Sequence, residues 1–273
     1  MAVDLPLAMI AATVKVEQPQ ASGNLTILGT GFLVNDPKPD GTPRIVLVTA
    51  GHVFDNMPDA VAYIDYRLAQ PGGGWKLSPQ PLPIRSGASR LWIKSPEEDV
   101  AVIAVQAPPE FASAAIPLSW LADASDFTDT GIEPGDEMFA LGYPDGYSAN
   151  PEGFPVLSAG HVASYPLLTT PTYPRFMLDT RTYPGNSGGP VFLASGAQRR
   201  PGSPLAGTPY VTGLIAKVAE KYEWAFVIEA PAIRRTIELL DRSPPPSAAP
   251  GANGFTVLPP PPASAPAAAD AKP

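Results

Sequence analysis

Three polar residues sit where their types could do chemistry together. His52 follows the apolar run "RIVLV" in "LVTAGHVFDN". Asp99 stands at the mouth of "DVAVIAV". Ser187 lies within "TYPGNSGGPVF" (182–192), ringed by Gly185, Gly188 and Gly189. A serine hydroxyl is a poor nucleophile at neutral pH and needs a base within hydrogen-bond reach. Histidine titrates in the range where it can take that proton and return it to a leaving group. A carboxylate partly desolvated by an apolar strand wants a donor. An imidazole supplies one, and the carboxylate in turn fixes its tautomer and stabilises the imidazolium. The glycines complete the set. Without a Cβ at Gly185, its N–H and that of Ser187 can point at one spot and bind the oxyanion of a tetrahedral intermediate. The chemistry indicated is nucleophilic acyl transfer, with His52, Asp99 and Ser187 catalytic and the Gly185 and Ser187 amides as oxyanion hole.

Composition removes several other classes of function. The 273 residues carry 18 basic and 26 acidic side chains, a net charge of −8. No basic patch follows a phosphate backbone, so nucleic acid is not an expected partner. The absence of cysteine excludes disulfides, a thiol nucleophile and cysteine-based metal sites. No apolar run reaches the ~18 residues of a transmembrane helix, so no membrane partner is expected. The first residues, "MAVDLPLAMIAATVKVEQP", lack the basic start and cleavage site of a secretory signal, and a cytoplasmic location is the expectation. "PGGGW" (71–75) has no Lys-Ser/Thr ending and reads as a loop, not a phosphate cradle. The aspartates of "DNMPDAVAYIDY" do not have calcium-loop spacing. No metal and no cofactor are expected.

The elements that must position the three residues are short apolar runs bounded by turn residues. Six lie at 8–17, 26–34, 44–50, 60–66, 90–94 and 99–105, and six more at 137–143, 155–165, 175–180, 190–195, 210–218 and 224–230. This spacing is that of an all-β sandwich or barrel. The acidic, turn-rich stretch 113–135 separates the groups. It gives a division into 1–112, a linker 113–135, and 136–242. One late helix is expected over 230–242, from Pro231 and the spacing of Ile233, Ile237 and Leu240. Residues 243–273, rich in proline and alanine, read as a disordered tail, either a spacer or a docking or autoinhibitory segment.

"GTGFLV" (29–34), "TAGHV" (49–53), "DVAVI" (99–103) and "GNSGGPV" (185–191) together resemble the chymotrypsin-like (trypsin-like) serine proteases, over about residues 8–242, in the chain order His, Asp, Ser. The resemblance implies two six-stranded antiparallel β-barrels with a closing C-terminal α-helix, the site lying between them. It is nearest the cysteine-free bacterial branch, with Deg/HtrA-type and glutamyl-endopeptidase-type enzymes, but without a PDZ-like module. Asn186 stands where digestive enzymes carry an aspartate, which implies that activation by a freed N-terminus is missing. By the same resemblance Arg181 and Thr182, facing Ala216, Lys217 and Val218, would line the substrate pocket. Arg181 either favours an acidic side chain there, or turns outward to solvent or pairs with Asp179. His161 falls at a variable position of "SAGHVASY" and is expected to be structural or at the surface, with a substrate contact as the alternative.

The expected function is a serine endopeptidase acting on proteins or peptides through an acyl-enzyme. Two alternatives stay open, a silent peptide-binding module and an esterase using the same residues. A cytoplasmic protease needs control, by an unidentified regulatory partner, by the tail or by a distorted resting oxyanion loop.

Overall fold

The computed structural model describes residues 4–20, 26–166, 174–193, 210–219 and 224–245. The expected tail lies almost wholly outside them. In chain order the elements are α1 (Leu5–Ala12), β1 (Thr13–Pro19), β2 (Thr26–Asn35), β3 (Ile45–Ala50), α2 (Gly51–Asp55), β4 (Val61–Ala69), β5 (Trp75–Pro83), β6 (Arg85–Ser86), β7 (Ser89–Arg90), β8 (Ile93–Lys94) and β9 (Val100–Val105). They continue with α3 (Pro109–Ala112), β10 (Ile116–Pro117), α4 (Ala124–Thr130), β11 (Glu137–Gly142), β12 (Val156–His161), β13 (Arg175–Leu178), β14 (Pro190–Leu193), β15 (Tyr210–Ala219), β16 (Trp224–Glu229) and α5 (Ala230–Arg242).

Two barrels result. The first has the order β5-β4-β1-β2-β3-β9-β8, with β10 added to β2. Six of these strands are long and antiparallel. The two-residue β10 pairs parallel, through Ile116 with Val34, an exception to the antiparallel rule. Leu91 N–H donates to the Ile84 carbonyl at 3.0 Å, tying the chain that leaves β5 to the chain that enters β8. The second barrel has the order β12-β11-β14-β15-β16-β13, and a bridge between Val162 and Leu178 joins its two ends. β3 ("IVLVTA") and the first four residues of β9 are almost wholly buried, as their predominantly Val/Ile/Leu/Ala content dictates for central strands. Each such side chain contributes ~1.5–3 kcal/mol by leaving water.

Three local readings are corrected. The run 8–17 is not one strand. Residues 5–12 form α1, because Asp4 accepts a hydrogen bond from Leu7 N–H, Pro6 sits in the first turn, and Leu, Ala and Met favour helix. The β-branched "TVKV" then begins β1. Residues 75–83 form an unforeseen strand despite Pro79, Pro81 and Pro83. β5 is an edge strand, so prolines at alternate positions lose no ladder bond on the open side. The stretch 113–135 is more than turns, since Asp123 and Asp126 form a capping box that starts α4.

The expected helix appears as α5 over 230–242. Its apolar face, with Ile233, Ile237 and Leu240, is buried. Arg44, next to β3, donates to Asp241 at 2.7 Å and also pairs with Asp36, anchoring the end of α5 to the first barrel.

Candidate active site

The first barrel brings His52 and Asp99 together. β3 ends at Ala50, and the chain turns into the five-residue α2 with His52 in its first turn. Asp99 directly precedes β9, the neighbour of β3. Gly51 N–H donates to the Asp99 carbonyl at 3.0 Å, His52 N–H to Asp99 Oδ1 at 2.8 Å, and His52 Nδ1 meets Asp99 Oδ2 at 2.6 Å. The approach needs a glycine at 51, because a Cβ there would lie 2.7 Å from Asp99 Oδ1. Burial works to raise the Asp99 pKa. The His52 side chain and backbone N–H, with Lys94 Nζ 3.9 Å away, outweigh it and hold the carboxyl below its usual range. Asp99 is therefore an anion that accepts from the ring, which leaves the other imidazole nitrogen to act as a base.

Ser187 is delivered from the second barrel by the turn before β14. Thr30 N–H on β2 donates to the Ser187 carbonyl at 2.8 Å. Gly188 has φ +87°, and a Cβ there would lie 2.1 Å from the Thr30 carbonyl oxygen and 2.9 Å from the Ala50 nitrogen. The residue after Ser187 thus packs against the end of β3, two positions before His52. This is the contact that joins the two halves of the site. Ser187 itself is nearly buried.

The peptide before Ser187 is pinned as well. Tyr183 to Asn186 form a turn closed by Asn186 N–H on the Tyr183 carbonyl, with Gly185 at φ +95°. The Pro184 carbonyl accepts from Asp145 N–H at 2.6 Å, and the Gly185 carbonyl accepts from Thr30 Oγ1 at 2.6 Å. Among the described residues, neither Gly185 N–H nor Ser187 N–H has an acceptor.

The residues expected to line the substrate pocket take different positions. Arg181 is exposed and Thr182 is buried, with Thr182 Oγ1 donating to the Trp224 carbonyl at 3.4 Å. Ala216 is buried, Lys217 is exposed, and Val218 continues β15. β15 runs past β14, whose pairing stops at Pro190 with Leu214. From Lys217 onward β15 pairs only with β16 among the described residues, so its other edge is open. His161 ends β12, its Nδ1 3.4 Å from Asp179 Oδ1. Thr30, Tyr143 and Asp145, which brace the serine turn, were not foreseen. The turn signal "YPDG" (143–146) was the one available clue.

The model of the trypsin-like peptidase domain matches residues 29–197, more than half of the chain. Curated proteins gave no sequence match. Among solved structures, the inactive form of a serine-to-alanine mutant of Rv3671c from M. tuberculosis H37Rv is 18% identical. It covers 89% of this chain and 93% of its own, with a TM-score of 0.51. The scabies mite inactivated protease paralogue S-I1 is 12% identical, covers 87% and 97%, and has a TM-score of 0.53. At these identities the likeness is one of fold, the chymotrypsin-like double barrel. The family match, on a chain that folds this way, makes this protein a member of the trypsin-like peptidase family.

Proposed function

We propose that the protein is a serine endopeptidase in which Ser187 attacks the scissile carbonyl, His52 carries the proton and Asp99 orients His52. The attack forms the Ser187 Oγ–acyl bond, and His52 passes the proton to the leaving amine. Water then reverses the sequence and frees the acid. One observation carries the reading. The paired His52 and Asp99 lie at the end of β3, against which the Ser187 turn packs, and two amide donors on that turn have no acceptor among the described residues. Those donors suit an oxyanion, an interaction worth about 3–4 kcal/mol per donor.

The substrate is a protein or peptide. Its backbone would pair with the open edge of β15 at Ala216, Lys217 and Val218, a mode that gives affinity with little sequence preference. Arg181 and Thr182 would border the pocket for the residue before the cleaved bond. The exposure of Arg181 supports its solvent-facing alternative. Labelling with a fluorophosphonate probe, alongside hydrolysis of a peptide library, tests the reading. Wild type should label and Ser187→Ala should not, with turnover falling by roughly 10⁴-fold or more. Labelling that survives Ser187→Ala would sink it.

A further inference from the structure

Arg67 is a charged side chain inside β4 that is 1% exposed. It sits between the rings of Phe111 and Phe154, 5.2 and 5.0 Å from their centroids. Its guanidinium donates to the carbonyls of Ile10 (3.1 Å), Ala11 (2.9 Å) and Thr13 (2.6 Å), where α1 ends and β1 begins. It also donates to the Gly153 carbonyl (3.3 Å) and to Tyr143 Oη (2.9 Å). Burying a cation is costly unless every donor finds an acceptor, and this one is well supplied. Neither the fold's hydrophobic pattern nor the proposed chemistry calls for an arginine here.

The chain of contacts continues toward the site. Tyr143, fully buried, donates its own hydroxyl to the Gly153 carbonyl at 3.1 Å. Its N–H donates to Thr30 Oγ1 at 3.2 Å, the hydroxyl that donates to the Gly185 carbonyl. Its carbonyl accepts from Gly146 N–H at 2.9 Å and lies where a Cβ on Gly185 would be, 2.2 Å from that position. The turn so closed puts Asp145 at φ +49°, the one non-glycine residue with positive φ among those described. Such a conformation costs on the order of 1 kcal/mol and persists only where its surroundings enforce it. What it achieves is the 2.6 Å bond from Asp145 N–H to the Pro184 carbonyl. In a trans peptide the C=O and N–H point in opposite directions. Holding the Pro184 oxygen therefore fixes where the Gly185 N–H points.

We propose that Arg67 and Tyr143 are positioning residues that set the Gly185 oxyanion donor through the turn 143–146, and that they link the N-terminal helix α1 to the site. The proposal rests on the serine-protease reading for the purpose of the donor, but not for the existence of the clamp. Arg67 has five acceptors whose exposure on truncation threatens folding, so the test is Tyr143→Phe, which removes one oxygen and keeps the ring. Two readouts are taken on the folded full-length variant. Hydrogen exchange at the Asp145 amide should quicken by about tenfold or more, whether or not the protein is active. In turnover, kcat should fall about tenfold with KM within twofold, and the affinity for a peptide boronic acid should fall in parallel. A purely structural role would lower the melting temperature and leave kcat, KM and Asp145 exchange alone, and that result overturns the proposal. Should exchange quicken in a wild type and variant that both lack activity, the clamp stands and the protease reading is what fails.

Discussion

The sequence "AGHV" occurs twice, at 50–53 and 159–162, and each histidine faces an aspartate. In both places the histidine N–H donates to that carboxylate and ring Nδ1 turns toward it. In both, the preceding glycine lets the aspartate-bearing segment come close, Gly51 to Asp99 and Gly160 to the backbone of Asp179. The local sequence does not tell the two pairs apart. Their surroundings do. His52 is carried off the end of β3 into α2, next to the Ser187 turn, whereas His161 stays on β12 with its ring and Asp179 about half exposed. A histidine–aspartate pair becomes a candidate catalytic pair only where a second barrel brings a nucleophile to it.

The sharpest way to break this comparison is to remove each histidine in turn. His52→Ala should lower kcat/KM by roughly 10⁴-fold or more, in line with triad losses in serine hydrolases generally. His161→Ala should leave it within about twofold. Similar losses from both, measured on one peptide substrate, would put His161 in the site. The aspartates give a smaller but still large contrast. Asp99→Asn should cost about 10³–10⁴-fold through loss of the correct tautomer, and Asp179→Asn almost nothing. An Asp99→Asn enzyme of near-normal kcat would show that the 2.6 Å contact is structural.

The smallest expected effect concerns a buried carboxyl at the end of β16. Glu229 ends β16, is 3% exposed, and its Oε1 has no hydrogen-bond partner among the described residues. Burial pushes its pKa up to about 8, with Arg235 opposing and Glu98, the neighbour of Asp99 in the chain, adding to the rise. An unfolded chain would release this proton near pH 4.5. Between those values the folded state binds more protons, so stability is complete below about pH 4.5 and falls as pH rises toward 8, by at most ~1.4 kcal/mol per unit. Glu229→Gln keeps the shape with no proton to lose. Its melting temperature should exceed that of wild type by roughly 5–10 °C near pH 8 and by little near pH 4.5. A difference that does not vary with pH would show that the side chain stays ionised.

Much of the fold was legible because it rests on local pattern. The runs around β3 and β9 are apolar on both faces, which only a central strand explains, and α5 carries its proline start and its apolar stripe in one continuous segment. α1 was misread because its apolar run has no polar face to reveal a helical period, and the decisive signal was a single cap at Asp4. β5 was missed because its prolines are harmless only on an edge, and being an edge is a property of the sheet. Within the site, His52, Asp99, Ser187 and the flanking glycines announced themselves by type. Arg67 and Tyr143 did not, since an arginine in a strand normally reads as a solvated residue.

The sequence by itself determined the chemistry on offer: a base, a carboxylate, a hydroxyl, and glycines where a side chain would collide. It also determined where strands and the last helix form, because backbone preference and burial act over a few neighbouring residues. Tertiary structure alone decided which of two histidine–aspartate pairs lies by the strand end against which the Ser187 turn packs, and which way the Pro184–Gly185 peptide turns. Those outcomes depend on hydrogen bonds such as Thr30 to Gly185, between residues 155 positions apart. No short-range rule reaches across that distance, and only the packing of one barrel on the other brings such groups into contact.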